Sequence, residues 1–168
     1  MRTLLLVAAT LLAAPALAAS PWDAAKKVAG KATTGKLEQE VNRRLLAESR
    51  KNQCSFQVDS DALAPGCDEK ARRLRNAIVD AKKRLSAAGV KSFKFEVSGH
   101  TDSTGDAAHN RALSQKRAQA IQRELVKRGI PEGEITAVGH GAEKLLVKPD
   151  DTPARKARNR RYEIQVRL

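Results

Sequence analysis

The chain has 168 residues, with 32 Lys and Arg against 19 Asp and Glu, for a formal charge of +13. Such an excess favours anionic partners: cell-wall polymers, lipopolysaccharide, acidic lipid or nucleic acid. The last is disfavoured, because single-strand binders stack bases on aromatic rings and only one Trp, one Tyr and three Phe are present.

The first residues, "MRTLLLVAATLLAAPALA", place Arg2 ahead of an apolar run from Leu4 to Leu12 and set Ala16 and Ala18 where a signal peptidase reads. The run is shorter than the about 20 apolar residues a spanning helix needs. Residues 1–18 are therefore expected to be a secretory leader cut after Ala18 or Ala19, leaving a periplasmic chain of charge +12, since Arg2 is the one charge removed. No Cys follows the cleavage region, so a lipid anchor is not expected. Export further argues against nucleic acid as a partner.

Residues 19–52 are polar, basic and helix-favouring, interrupted at Gly30 and Gly35. Leu37, Val41 and Leu45 recur every four residues, which predicts a helix over about 36–51 with one narrow apolar stripe. This segment reads as an N-terminal helical extension that docks on the following domain or on an envelope protein, with Trp22 as a possible anchor. Cys54 and Cys67 are the only cysteines, and in an oxidising compartment an even pair reads as a disulfide. Closing that loop contributes about 3 kcal/mol by restricting the unfolded chain. A zinc site is the poorer reading, because no His lies near them.

From 53 to 168 the pattern is one domain of alternating strands and helices. "CSFQVDS" reads as a short strand and "APGC" as a turn, with Asp68 as cap of the next helix. That helix buries Leu74, Ile78, Ala81 and Leu85 and exposes its Lys and Arg. "KSFKFEVS" alternates Phe93, Phe95 and Val97 against Lys94 and Glu96, a strand covered on one face. A second helix carries Leu113, Ala118, Ile121 and Leu125 and stops at Gly129 and Pro131. "EITAVGHG" is a third strand; a short helix follows Pro153, and "RYEIQVRL" is a last strand with Tyr162, Ile164, Val166 and Leu168 on one face. The fold class is α+β: a β-α-β-α-β-β mixed four-stranded sheet with helices packed on one face.

Chemistry concentrates in "GHTDSTGDAAHNRALSQKRA", residues 99–118. Gly99 and Gly105 bracket His100, Thr101, Asp102, Ser103 and Thr104 at a strand end ahead of a helix, where free N–H donors and the helix dipole welcome a carboxylate. Arg117, farther along that helix, offers a flat two-pronged fork, and Asp102 offers a fixed negative charge for an ammonium. The pair suits a zwitterion; an ion pair between Asp102 and Arg117 alone is the bland alternative. Neither a catalytic triad nor a zincin is indicated, because adjacency of His100, Asp102 and Ser103 is not triad geometry and His100, His109 and His140 lack metal spacing. The chain is read as a non-enzyme with no cofactor and no metal.

The strings "FEVSGHTDSTGDAAHNRALSQKRAQAIQREL", "ITAVGHGAE" and "NRRYEIQV" resemble the peptidoglycan-binding domain at the C-terminus of outer-membrane protein A, in the peptidoglycan-associated lipoprotein and in flagellar stator proteins. The resemblance runs from about Phe56 to Val166. It implies noncovalent binding of the diaminopimelate residue of the peptidoglycan stem peptide, with Asp102 receiving the ammonium, Arg117 the carboxylate, and Thr101 assisting. Arg160 in "NRR" falls at a recurrent position near the pocket, and Asp59 stands where the family often presents an acid or amide. Asn110 and Ser114 read as loop and helix-start supports. The stretch "EKLLVKPDDTPARKARNRR" departs from the family in charge and glycine content. Linkage to the outer membrane is expected only through a partner, and the competing reading is an electrostatic scaffold or adhesion protein without a specific pocket.

Overall fold

The structure, a computed structural model, describes residues 21–57 and 59–168, with side chains from Thr33 onward. The expected leader, residues 1–18, and the Trp22 side chain lie outside the described residues. The elements in chain order are α1 (Pro21–Lys51), α2 (Cys67–Ala87), β1 (Lys94–His100), α3 (Ala107–Lys127), a 3-10 turn (Glu132–Glu134), β2 (Ile135–Gly139), α4 (Pro153–Asn159) and β3 (Arg161–Arg167). Among the described residues no helix is long and apolar enough to cross a membrane.

The sheet has three strands in the order β2-β1-β3, not the expected four. β1 runs parallel to β2, with Phe95 beside Ile135, and antiparallel to β3, with Phe95 beside Val166. The segment read as the first strand forms only a single bridge, Phe56 to Leu63. Its place at the β3 edge is taken by side-chain amides. Asn42 of α1 donates to the Val166 carbonyl at 3.1 Å and accepts from the Val166 amide at 2.6 Å, and Gln53 does the same for Tyr162 at 2.8 and 3.0 Å. The β2 edge is closed likewise from α3: Gln115 bonds the Ala137 carbonyl and the Gly139 amide, and Gln122 bonds the Ile135 carbonyl. Side-chain partners at these positions blunt both edges to a further strand.

α1 begins well before the expected boundary and passes through Gly30 and Gly35. A helical glycine costs only about 1 kcal/mol relative to Ala, and the rest of the helix outweighs it. Its apolar stripe is as read: Val41 and Leu45 are each 2% exposed and share one core with α2 and the sheet. That core contains Leu74, Ile78, Ala81 and Leu85 of α2, Phe95 and Val97 of β1, Ile121 and Leu125 of α3, and Tyr162, Ile164 and Val166 of β3. Cys54 and Cys67 are bonded, with Cα atoms 5.0 Å apart. Asp68 does not cap α2; Gly66 in the left-handed region precedes the helix, and Asp68 pairs with Arg128 at 2.7 Å.

Two glycines paired across β1 and β2 set how closely α3 lies on the sheet. A Cβ on Gly99 would stand 2.3 Å from the Ser114 carbonyl oxygen, and one on Gly139 2.4 Å from the Gln115 amide nitrogen. Those glycines let the helix backbone touch the strands, and so fix the loop between β1 and α3.

Candidate functional site

The loop leaving β1 is held from several sides. The Thr101 amide donates to the Gly141 carbonyl, Asn110 donates to the Thr104 carbonyl, and the Gly141 amide donates to the Ser114 hydroxyl. Asn110 and Ser114 are thus the supports their positions implied. Ser103 bonds Asp150 through its amide at 2.8 Å and through its hydroxyl. Asp150 is in turn fixed by Asn159, whose side chain also accepts from the Leu146 and Val147 amides. This Asn159–Asp150 brace was not foreseen. Asn159 opens the quoted "NRR" and is completely buried, with its amide fully engaged, which nothing in the surrounding polar string signals.

The start of α3 carries a side-chain cap of its own. Asp106 caps it, accepting from the His109 amide at 2.9 Å, so the helix terminus already has its anion.

Asp102 and Arg117 do not pair with each other. Asp102 accepts from the Thr104 amide at 3.0 Å and from Arg160 at 2.7 Å. Burial alone would raise its pKa, but the bonds from Arg160 and Thr104 win and hold the carboxyl below its ordinary value. A mostly buried carboxylate needs such a cation, and Arg160 at the end of α4 supplies it. Each carboxylate oxygen keeps a second acceptor direction.

Arg117 lies almost three turns into α3. Its Nε donates to the Ser60 carbonyl at 3.0 Å, and its guanidinium carbon lies 5.1 Å from the centre of the Phe56 ring. Burial, first of all, lowers its pKa from the ordinary arginine value. Among the described residues its two terminal nitrogens have no hydrogen-bond partner, so the fork is oriented but unfilled.

That fork borders a cavity of about 480 Å³ whose wall includes Asp59, His100, Arg117, Arg160 and Arg161, closed on one side by the disulfide-bonded segment from Gln53 to Gln57. Asp59 has φ 48, a conformation Asp tolerates better than most residues, and it bonds His109 at 2.9 Å. Of the residues singled out in the sequence, Asp59, Arg117 and Arg160 are in the wall. Asp102 adjoins it through Arg160, while Thr101 is 4% exposed and is not in the wall. The Thr101 hydroxyl and both His100 ring nitrogens are buried without a partner among the described residues. Burial pushes His100 down to about 3, so its ring is neutral, stacked 5.3 Å from His140. Among the described residues no cluster of His, Cys, Asp or Glu could hold a metal ion.

The OmpA family matches residues 55–160. Outer membrane porin F of Pseudomonas fluorescens is 49% identical over 79 residues, which are 47% of this chain and 24% of that protein. The peptidoglycan-associated lipoprotein of Pseudomonas aeruginosa is 33% identical over 110 residues, 66% of this chain and 59% of that one. The chain thus spans about a quarter of the porin and under two thirds of the lipoprotein. Among solved structures, the peptidoglycan-associated lipoprotein of Burkholderia pseudomallei superposes with a TM-score of 0.55 at 24% identity, covering 68% of this chain and 89% of that one. The periplasmic domain of Helicobacter pylori MotB does so with 0.56 at 20% identity, covering 68% of each chain. These two likenesses concern the fold.

Proposed function

Because the chain belongs to the OmpA family, we propose that it is a noncatalytic periplasmic protein that holds peptidoglycan through the diaminopimelate residue of the stem peptide. The observation that carries this reading is the Arg117 fork. Its Nε is tied to Ser60, its guanidinium carbon lies over the Phe56 ring, and the residue lines a cavity whose wall includes Asp59 and Arg160, the partner of Asp102. A carboxylate entering there meets a planar donor pair already ordered, so little side-chain freedom is lost on binding. Asp102 receives the ammonium of the same amino-acid head, using acceptor directions that Arg160 and Thr104 leave open. Arg160 steadies that carboxylate, Asp59 adds negative charge at the rim, and Thr101 supports the loop. The first turns of α1, ahead of the Val41 and Leu45 contact, are the proposed link to an outer-membrane or other envelope protein.

Titration of diaminopimelate into the purified chain, with Nα-acetyl-lysine amide as the control ligand that carries no amino-acid head, tests the assignment. Binding of diaminopimelate and not of the capped lysine is expected, together with cosedimentation with sacculi that Asp102→Ala or Arg117→Ala removes without unfolding the protein. Unchanged retention in both variants would reject the site. The electrostatic-scaffold reading draws on the excess positive charge and predicts retention that collapses as salt rises, whereas contacts in a partly desolvated pocket are screened less.

A further inference from the structure

A second groove, of about 360 Å³, adjoins the cavity and shares Gln53, Arg160 and Arg161 with it. Arg50 from the end of α1 and Arg158 from α4 complete four guanidinium groups on its wall, beside Leu146 and Ala157. Few acids answer them. Arg50 and Arg161 both bond the same Glu163 oxygen at 3.0 Å, Arg160 is committed to Asp102, and among the described residues Arg158 has no ion pair or hydrogen bond. Glu163 is 8% exposed, and although burial would raise its pKa, the bonds from Arg161 and Arg50 hold it below the ordinary value. The groove therefore carries an unbalanced positive charge. Next to it Leu146, 40% exposed, is one of two large apolar side chains left open among the described residues.

We propose that this groove is a subsite for a second carboxylate of the stem peptide, carried by the residue next to diaminopimelate. The inference rests on the reading of the neighbouring cavity as the diaminopimelate site. A stem peptide offers two such groups: the free α-carboxylate of a γ-linked D-glutamate on one side, and the terminal carboxylate of D-alanine on the other. Both pair a carboxylate with a short aliphatic segment, which is what arginines beside Leu146 and Ala157 accommodate. A polymer of phosphates would use the charge but not the apolar contact, nor the continuity with the cavity. Arg50 precedes the matched family segment, residues 55–160, and lies at the end of α1.

The test is a calorimetric titration of the full chain, at about 150 mM ionic strength where long-range attraction is screened. The ligands are free diaminopimelate, the tetrapeptide L-Ala-γ-D-Glu-diaminopimelyl-D-Ala, its D-Glu α-amide and its C-terminal amide. One amide is expected to bind about fivefold more weakly than the tetrapeptide, the loss of one exposed ion pair, and which amide does so identifies the carboxylate. The R50Q/R158Q variant, in which Glu163 keeps Arg161, is expected to bind all three peptides alike and free diaminopimelate as the wild type does. Equal affinity of the wild type for all three peptides, with diaminopimelate binding intact, overturns the subsite alone. Failure to bind diaminopimelate at all overturns the parent reading and the subsite with it. Loss of binding by R50Q/R158Q to vesicles rich in phosphate headgroups, with no discrimination among the peptides, assigns the groove to a membrane surface and also overturns it.

Discussion

Replacing Arg117 by Lys separates charge from shape at the candidate site. The substitution keeps a positive charge in the same helix, but it removes the planar fork and the Nε bond to the Ser60 carbonyl. An ammonium can give the ligand carboxylate one strong bond where the guanidinium gives two, and a charge-assisted hydrogen bond contributes about 2 kcal/mol. Affinity for diaminopimelate should fall about 30-fold. Stability should fall by about 1 kcal/mol from the lost bond to Ser60, well short of unfolding a domain of this size. Phe56→Leu is the companion control: it removes the ring under the guanidinium while leaving the fork, and should weaken binding by no more than about fivefold. Calorimetric titration at neutral pH, with thermal melts of each variant, reads both quantities. If Arg117→Lys bound diaminopimelate within about threefold of the wild type, Arg117 would be acting only as a point charge, and the argument from its geometry would fail.

The edge amides should behave as structural bonds: Gln53→Leu removes two hydrogen bonds to Tyr162 and is expected to cost about 2 kcal/mol in urea unfolding, and a change under about 0.5 kcal/mol would show that water satisfies that edge equally well. Gly139→Ala would drive a Cβ into the α3 backbone, 2.4 Å from the Gln115 nitrogen, and should destabilise by about 3 kcal/mol, whereas Gly133→Ala, with nothing within 4 Å, should change little. Acid should weaken the fold through His100, which stays neutral down to about 3 in the folded chain but takes a proton near 6.5 when unfolded. The unfolded state then binds more protons, so stability should decline by on the order of 1 kcal/mol per pH step as pH falls from about 6.5 toward 3, with the depressed carboxyls of Asp102 and Glu163 adding to the loss below about 4. Denaturant unfolding of wild type and His100→Leu at pH 7 and 5 checks this, and equal slopes would exclude His100 as the cause.

Periodicity located α2, β1, α3 and β3, because each has a buried face that the apolar spacing records, whereas α4 was marked by Pro153 and buries only Asn159. The stripe Leu74, Ile78, Ala81, Leu85 is buried as its spacing required, and the Cys54–Cys67 bond follows from an even pair in an oxidising compartment. The chemistry-bearing residues were legible as residue types: an Asp in a glycine-flanked loop, an Arg in the following helix, an Arg in "NRR". What contacts each of them was not. Asp102 meets Arg160, 58 positions away, rather than Arg117, and the Asp150–Asn159 brace joins residues that no local pattern connects. The segment after Cys54 alternates like a strand, yet the edge it would have paired with is closed by Asn42 and Gln53, whose amides look in sequence like ordinary solvated side chains. Local spacing reports which way a residue faces within its own element, because one element's geometry is set by short-range sterics and hydrogen bonds. Which charges meet, and which backbone edge is satisfied, depends on how elements distant in sequence are packed together, and that only the tertiary structure decided.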